Sequence, residues 1–260
     1  MKRITLLLMA AFLISGLTTY SQKVIPGSVV GITQVKPATE GMTNDQFEIY
    51  YLEKFFPVFN KAFSSIPISL MKKLKGKRMG EYAEFYVFES LEERNRWFPK
   101  PGVSSEEAKK GFENMGETWN KYHEKVSSLA YTDYLVLPFS GKTIDVKSGN
   151  VVAIFECEFT LEEGMTFEDL EQLYQKEYGP AFMKNFQGTQ FCVLKGERGE
   201  RTGKYTEMIV LKSMEEYNKW ITEDGKLNEK AKQAFYNMGE IQVRMEKMYT
   251  YENSNYYLVL

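Results

Sequence analysis

With 260 residues, 43% of them hydrophobic and 15% aromatic, the chain has material for two cores of ordinary domain size. Its 33 basic and 35 acidic residues leave a formal charge of −2, which is no electrostatic footprint for nucleic acid. A single histidine, two cysteines and the lack of a glycine-rich phosphate loop leave most hydrolytic and nucleotide chemistries poorly equipped.

The chain opens with Lys2 and Arg3, an apolar run from Ile4 to Ile14, and small residues up to Ser21. That order predicts a secretory signal peptide over residues 1–21, with Thr19 and Ser21 before the cut. The run is too short to anchor a mature protein in a bilayer, and no cysteine follows it to carry a lipid. The expected mature chain is exported, periplasmic or extracellular, without a membrane span. Loss of Lys2 and Arg3 leaves 31 basic against 35 acidic residues.

Residues 41–137 recur as residues 164–260 at a constant offset of 123, and 34 of the 97 paired positions are identical. Unrelated sequences of ordinary composition share roughly 6%. The period is too long for a solenoid unit and suits a whole domain. The expected organisation is a first unit over 22–137, a linker over 138–150 rich in Ser, Gly, Lys and Asp, and a second unit over 151–260.

Val29–Val35 and Val151–Phe159 are β-rich runs that open the two copies. Thr43 with Gln46, and Thr166 with Asp169, mark capped helix starts. Phe47, Tyr50, Tyr51 and Phe55 follow at helical spacing, matched by Leu170, Leu173, Tyr174 and Tyr178. Pro57 and Pro180 break or kink those helices at matched positions. Ile66–Leu74 and Gln190–Lys195 read as second strands, and glycine-punctuated turns lead to third strands at Tyr82–Phe88 and Tyr205–Leu211. Ser90 and Ser213 cap short helices that carry Trp97 and Trp220. Long amphipathic helices are expected from Ser105 to Val126 and from Asn228 to Tyr249, with Gly116 and Gly239 in their interiors, where close packing of helix on sheet would favour glycine. Strands at Tyr131–Leu137 and Asn255–Leu260 close the units.

The order strand, helix, strand, strand, helix, strand is the ferredoxin-like βαββαβ arrangement, and the sequence is α+β. Such a sheet has helices on one face only, so its other face needs a cover. Two copies supply it by pairing sheet to sheet. Each copy resembles the dimeric α/β-barrel superfamily, on three features: the helix broken at Pro57 or Pro180, the hairpin around Lys195-Gly196 and Gly203, and the Ser90-x-Glu-Glu-x-Asn-x-Trp97 box with its twin at Ser213–Trp220. That superfamily includes cofactor-free monooxygenases of antibiotic biosynthesis, stress-response barrel proteins and, as tandem units, chlorite-dismutase-like haem proteins. The resemblance implies an intramolecular pseudo-dimeric barrel, a monomer with an internal pseudo-twofold axis.

Candidate site residues follow from that frame. Alternation along the third strand sends Ala83, Phe85 and Val87 towards the helices and Tyr82, Glu84, Tyr86 and Phe88 into the space between the sheets, with Tyr205 and Glu207 in the second copy. Two carboxylates in an apolar cavity would have raised pKa values and could act as acid or base. A hairpin centred near residue 78 would instead place Lys72 opposite Glu84, and Lys195 opposite Glu207, as structural ion pairs. Arg78 and Arg201 in the hairpin turns could hold an anion at the barrel mouth. A haem-ligand role for His123 is disfavoured, because its counterpart is Glu246 and no haem motif surrounds it. No cofactor and no metal are expected. Cys157 and Cys192 fall on strands that are not neighbours, so two buried free thiols are expected. The functional expectation is a protein that binds a small apolar or aromatic molecule between its two sheets. The alternatives are a cofactor-free monooxygenase-like enzyme acting on an aromatic substrate, or a partner-binding module.

Overall fold

The computed structural model describes residues 21–38, 41–76, 82–141 and 143–260. Residues 1–20 of the expected signal peptide, and Arg78, lie outside the described residues. The first copy contributes β1 (Gln22–Val24), β2 (Val29–Pro37), β3 (Ile68–Lys75), β4 (Tyr82–Phe88) and β5 (Val126–Val136). The second contributes β6 (Ile144–Val146), β7 (Val151–Phe159), β8 (Thr189–Gly199), β9 (Tyr205–Leu211) and β10 (Tyr249–Val259). Eight antiparallel strands close a barrel in the order β10-β3-β4-β2-β5-β8-β9-β7, so the ladders β5–β8 and β10–β3 join the two halves. The short strands β1 and β6 pair with each other, and Val24, Ile144 and Val146 pack on the barrel's interior residues. Within residues 138–150, expected as a plain linker, β6 is thus the counterpart of β1. Val29 corresponds to Val151, an offset of 122, so the chain gains one residue before the first helix of the second copy. Gln34 therefore answers to Glu156, and Val35 to Cys157.

Helices cover the barrel's outer surface. In the first copy they are α1 (Asn44–Tyr50), α2 (Phe56–Ala62), α3 (Leu91–Trp97), α4 (Glu106–Met115) and α5 (Glu117–Lys125). The second copy has α6 (Phe167–Leu173), α7 (Gly179–Asn185), α8 (Met214–Asn218), α9 (Glu229–Asn237) and α10 (Glu240–Met248). Thr43 and Thr166 form the expected capping boxes with Gln46 and Asp169. Pro57 and Pro180 do not break their helices. A π turn, Tyr51–Phe55 or Tyr174–Tyr178, links the α segments. Proline lacks an N–H and crowds the preceding turn, and a widened i→i+5 turn accommodates both defects. The long helices are interrupted where the sequence placed glycine inside them. Gly116 has φ +55° and Gly239 φ +64°, a region that L side chains rarely enter, and each separates two helices. Close packing explains a different glycine: a Cβ on Gly111 would stand 2.6 Å from the Phe63 ring. Among the described residues no helix is long and apolar enough to cross a membrane.

The faces of the third strand are the reverse of those expected. Ala83, Phe85 and Val87 point into the barrel, where they pack with Val30, Ile32, Met208 and Tyr257. Tyr82, Glu84, Tyr86 and Phe88 lie beneath the helices of the first copy. An eight-stranded barrel of this kind is filled by side chains: mostly aliphatic groups with Phe85, Tyr134 and Tyr257 occupy the inside, and most of the aromatic rings lie in the outer, helix-covered layer. Both faces are buried, and the alternation that normally tells core from solvent carries no information. The polar space among the barrel residues, beside Gln34, Thr132 and Glu156, holds only about 20 Å³. That space is too small for an aromatic ligand.

Candidate functional site

The outer face of the first copy's sheet can be read as rows across paired strands. One row runs Arg198, Asp133, Gly31, Tyr86, Ile68 over β8, β5, β2, β4 and β3. The next runs Tyr131, Thr33, Glu84, Leu70. The matching rows of the second copy are Lys75, Tyr256, Ala153, Ile209, Phe191 and Ser254, Phe155, Glu207, Val193. Glycine, threonine and aspartate in one copy thus stand where the other has alanine, phenylalanine and tyrosine. The volumes follow. A cleft of about 500 Å³ opens between sheet and helices in the first copy, and only about 60 Å³ remains at the matching place in the second.

The cleft's sides are aromatic. Phe55 stacks on Tyr122 at 4.3 Å, Phe112 on Trp119 at 4.1 Å, and the His123 imidazole stands edge-on to Trp119 at 4.3 Å. The rim is the segment from Phe98 to Ser104, with Lys100. Arg198 reaches it from the second copy and donates to the Phe98 carbonyl at 2.7 Å and to Asn95 Oδ1 at 3.1 Å. Lys75 makes the reciprocal crossing, donating to the Glu223 carbonyl at 2.6 Å. Behind the cleft floor, Arg94 and Asp133 form an ion pair at 3.0 Å, with 3% and 4% of their side chains exposed. In the second copy the same two positions are Tyr217 and Tyr256, packed edge to face at 5.5 Å. A cleft of this size, mostly apolar with few convergent polar groups, has the character of a small-molecule site.

Each copy also buries one glutamate under phenols. Glu84 accepts from Tyr122 at 2.6 Å and from Tyr86. Glu207 accepts from Tyr174 at 2.7 Å and Tyr251 at 2.9 Å. Burial pushes both carboxyl groups up, against the opposing effect of those hydrogen bonds, and Glu207 reaches about 7. The folded chain therefore keeps a proton on Glu207 that the unfolded chain, near the usual pKa of about 4.3, releases. The stability that this proton contributes is full below about pH 4.3 and is lost as pH rises through about 7. At about 1.4 kcal/mol per pH unit the loss is on the order of 3 kcal/mol. Glu207→Gln is expected to remove most of the difference in urea midpoint between about pH 5 and pH 8. An unchanged difference would assign the pH dependence to other groups.

The remaining sequence-derived candidates are distributed differently from expectation. β3 pairs with β4 so that Leu70 faces Glu84 and Lys72 faces Tyr82, two residues away from the expected register, and Lys195 likewise faces Tyr205. Lys72 binds Glu48 at 2.8 Å and Lys195 binds Glu171 at 2.9 Å, in place of the expected strand glutamates. Tyr82 and Tyr205 donate to the same two helix carboxylates, at 2.6 and 2.7 Å. Lys72, Tyr82, Lys195 and Tyr205 thus tie helix to sheet identically in both copies and do not line the cleft. Arg201 is not free to hold an anion at the barrel mouth. It is buried, bound to Glu252, 3.7 Å from Glu156, and donates to the Cys157 and Tyr205 carbonyls at 3.1 Å. Cys157 and Cys192 are buried free thiols. Trp97 and Trp220 are buried core anchors. Among the described residues no His, Cys, Asp and Glu group could hold a metal ion. Of the third-strand residues expected at the site, Tyr86 and Phe88 line the cleft, with Glu84 directly behind Tyr86. Asp133, Thr33, Trp119, Tyr122 and Arg198 belong to the site without a sequence motif to mark them. The sequence signal available for Asp133 is its exchange for Tyr256 between copies.

No protein-family model and no curated protein sequence matches this chain. Solved structures do share its fold. A heme-binding protein from Thermus thermophilus superposes with a TM-score of 0.51 at 8% identity, over 93% of each chain. A mutant chlorite dismutase from Candidatus Nitrospira defluvii gives 0.51 at 7% identity, over 90% of this chain and 92% of that one. A putative chlorite dismutase gives 0.50 at 7%, over 90% and 94%. At such identities the likeness is one of fold. It overturns the expectation that no cofactor belongs here, because a protein with this fold binds haem. The chain has the α+β architecture with a closed eight-stranded antiparallel barrel that these chlorite-dismutase-like proteins share.

Proposed function

We propose that the chain binds a flat aromatic molecule in the helix–sheet cleft of its first copy. The observation that carries the reading is the asymmetry of a duplicated sheet. The floor positions hold Gly31, Thr33 and Asp133 beside 500 Å³ of space in one copy, and Ala153, Phe155 and Tyr256 beside 60 Å³ in the other. A duplicated fold that stands with one side filled does not need the other side hollow for stability.

A haem-type ring is the occupant that the fold's known ligand favours, and the donor set fits it. His123 offers an imidazole on a wall of aromatic rings, and Lys100 and Arg198 place cations at the rim for acidic side groups. Bound iron would supply one-electron redox chemistry. The chain's own residues would hold the ring: Trp119 and Phe112 as aromatic wall, His123 as the imidazole for its iron, and Lys100 and Arg198 as cations for its acidic groups. Titration of residues 22–260 with haemin is expected to give a saturable one-to-one shift of the Soret band, weakened at least about tenfold, roughly 1.4 kcal/mol, by His123→Ala. Non-saturating absorbance, or a His123→Ala variant that binds like wild type, would remove haem from this reading.

The same proposal takes residues 22–137 and 151–260 as two ferredoxin-like units in a monomer. It also takes the chain to be exported after cleavage at Ser21. The internal repeat supports the former and the Lys2–Ser21 pattern the latter.

A further inference from the structure

We propose that Glu84 is the proton acceptor of the cleft, reached through the phenols of Tyr86 and Tyr122, and that the cleft therefore takes a hydroxyl-bearing aromatic ligand and holds it as its oxyanion. This rests on the cleft read above as an aromatic-binding site, and names a hydroxyl-bearing ring in place of haem as its occupant.

The argument starts from what the two phenols have already used. Both line the cleft, and both donate their only proton to the same buried carboxylate. A phenol whose O–H is committed can still accept at its oxygen. Thr33 stands beside Tyr86 and Ser128 beside Tyr122, and each phenol oxygen has a second lone pair for a ligand. The cleft wall at this end thus selects a donor, an O–H, over an acceptor. The Glu84 carboxyl is held above the ordinary range by burial, so it is a better base than an exposed glutamate.

The second copy shows that the buried glutamate alone does not require this arrangement. Glu207 is satisfied by Tyr174 and Tyr251, neither of which lines the small space left there. Tyr86 and Tyr122 answer to Ile209 and Met245. Two cleft-facing phenols have thus been placed on the glutamate only where there is a cleft. The transfer balances without a further reagent. The ligand O–H bond breaks and its proton joins the phenol oxygen of Tyr122 or Tyr86. The phenol's own proton passes to Glu84, leaving ligand oxyanion, intact phenol and neutral carboxylic acid.

The test uses 7-hydroxycoumarin, whose neutral and anionic forms absorb at different wavelengths, and 7-methoxycoumarin, which has no proton to give. Both are titrated into residues 22–260 at a pH well below the free dye's own midpoint. The expected result is a bound hydroxycoumarin that shows the anion band, and loss of at least nine-tenths of that band in Glu84→Gln and in the double variant Tyr86→Phe with Tyr122→Phe. The methoxy dye measures how much each variant still binds, so that the anion band is read per bound hydroxycoumarin. A hydroxycoumarin that binds wild type as the neutral form overturns the proton transfer and leaves the site standing. So does an anion band that survives in either variant. Failure of both dyes to bind wild type overturns the transfer together with the site. Should Glu84→Gln not fold, the double phenylalanine variant carries the same comparison.

Discussion

Thr33→Phe is expected to abolish ligand uptake while leaving the barrel folded. Thr33 pairs with Glu84 on one side and Tyr131 on the other, in the middle of the cleft floor. The matching residue of the second copy is Phe155, flanked by Glu207 and Ser254, and its ring packs on Tyr256 at 5.6 Å. The substitution thus installs a side chain that this very fold already accommodates one half-turn of pseudosymmetry away. Filling existing space carries little of the strain that overpacking a full core would cause. We expect at least a hundredfold loss of affinity for 7-methoxycoumarin or haemin, equivalent to about 3 kcal/mol. The urea midpoint should move little or rise. Quenching of Trp119 fluorescence reports the binding, and denaturation of the same sample reports the fold. Undiminished affinity in a folded Thr33→Phe protein would place the ligand elsewhere.

The second large effect is on stability. Arg94→Met should cost about 3–5 kcal/mol, because it strands the Asp133 carboxylate in a buried place without its cation. The pair itself contributes little net stability. Burial pushes Asp133 up and Arg94 down, each against the attraction of its partner, so desolvation outweighs the Coulomb term for both groups. The structure also supplies the cure. Arg94→Tyr combined with Asp133→Tyr recreates the Tyr217–Tyr256 contact of the second copy and is expected to regain most of the loss, with the cleft closed as a by-product. A double-mutant cycle from urea denaturation measures the coupling. Additive single and double effects would show that the two residues act independently, against the geometry at 3.0 Å.

Much of the architecture was legible from the repeat. The offset of 123 fixed which elements recur, the caps at Thr43, Thr166, Ser90 and Ser213 marked real helix starts, and the strand order led to a barrel. What failed did so for identifiable reasons. The faces of Tyr82–Phe88 were inverted because a strand buried on both sides has no polar face to read. The Lys72–Glu84 pair failed because a two-residue register shift preserves the face of every side chain and changes only its partner. Gly116 was placed inside a helix because the apolar spacing continues across it, although its positive φ ends one helix and starts another. The site itself was nearly invisible. A cleft that opens where Thr33 stands in place of a phenylalanine is made by what that residue lacks, and composition or periodicity registers only what is present. Comparing the copies at the corrected offset of 122 would have exposed it, since Gly31 then faces Ala153 and Thr33 faces Phe155. An alignment one residue out conceals both exchanges.

The crossed arms, Arg198 over the first copy and Lys75 over the second, bear on how such a molecule can change over generations. In a dimer of identical chains every substitution is made twice, so a hollow on one side entails a hollow on the other, and a weakness accepted for chemistry is accepted in duplicate. Joining the two copies in one chain removes that coupling. Here one arm is an arginine with a planar fork spread over three acceptors, and the other a lysine on a single carbonyl. The solid copy acts as a buttress and the hollow copy is released to vary. The symmetry of the two copies survives in the barrel, the helix caps and the helix–sheet ties, and is given up at the cleft.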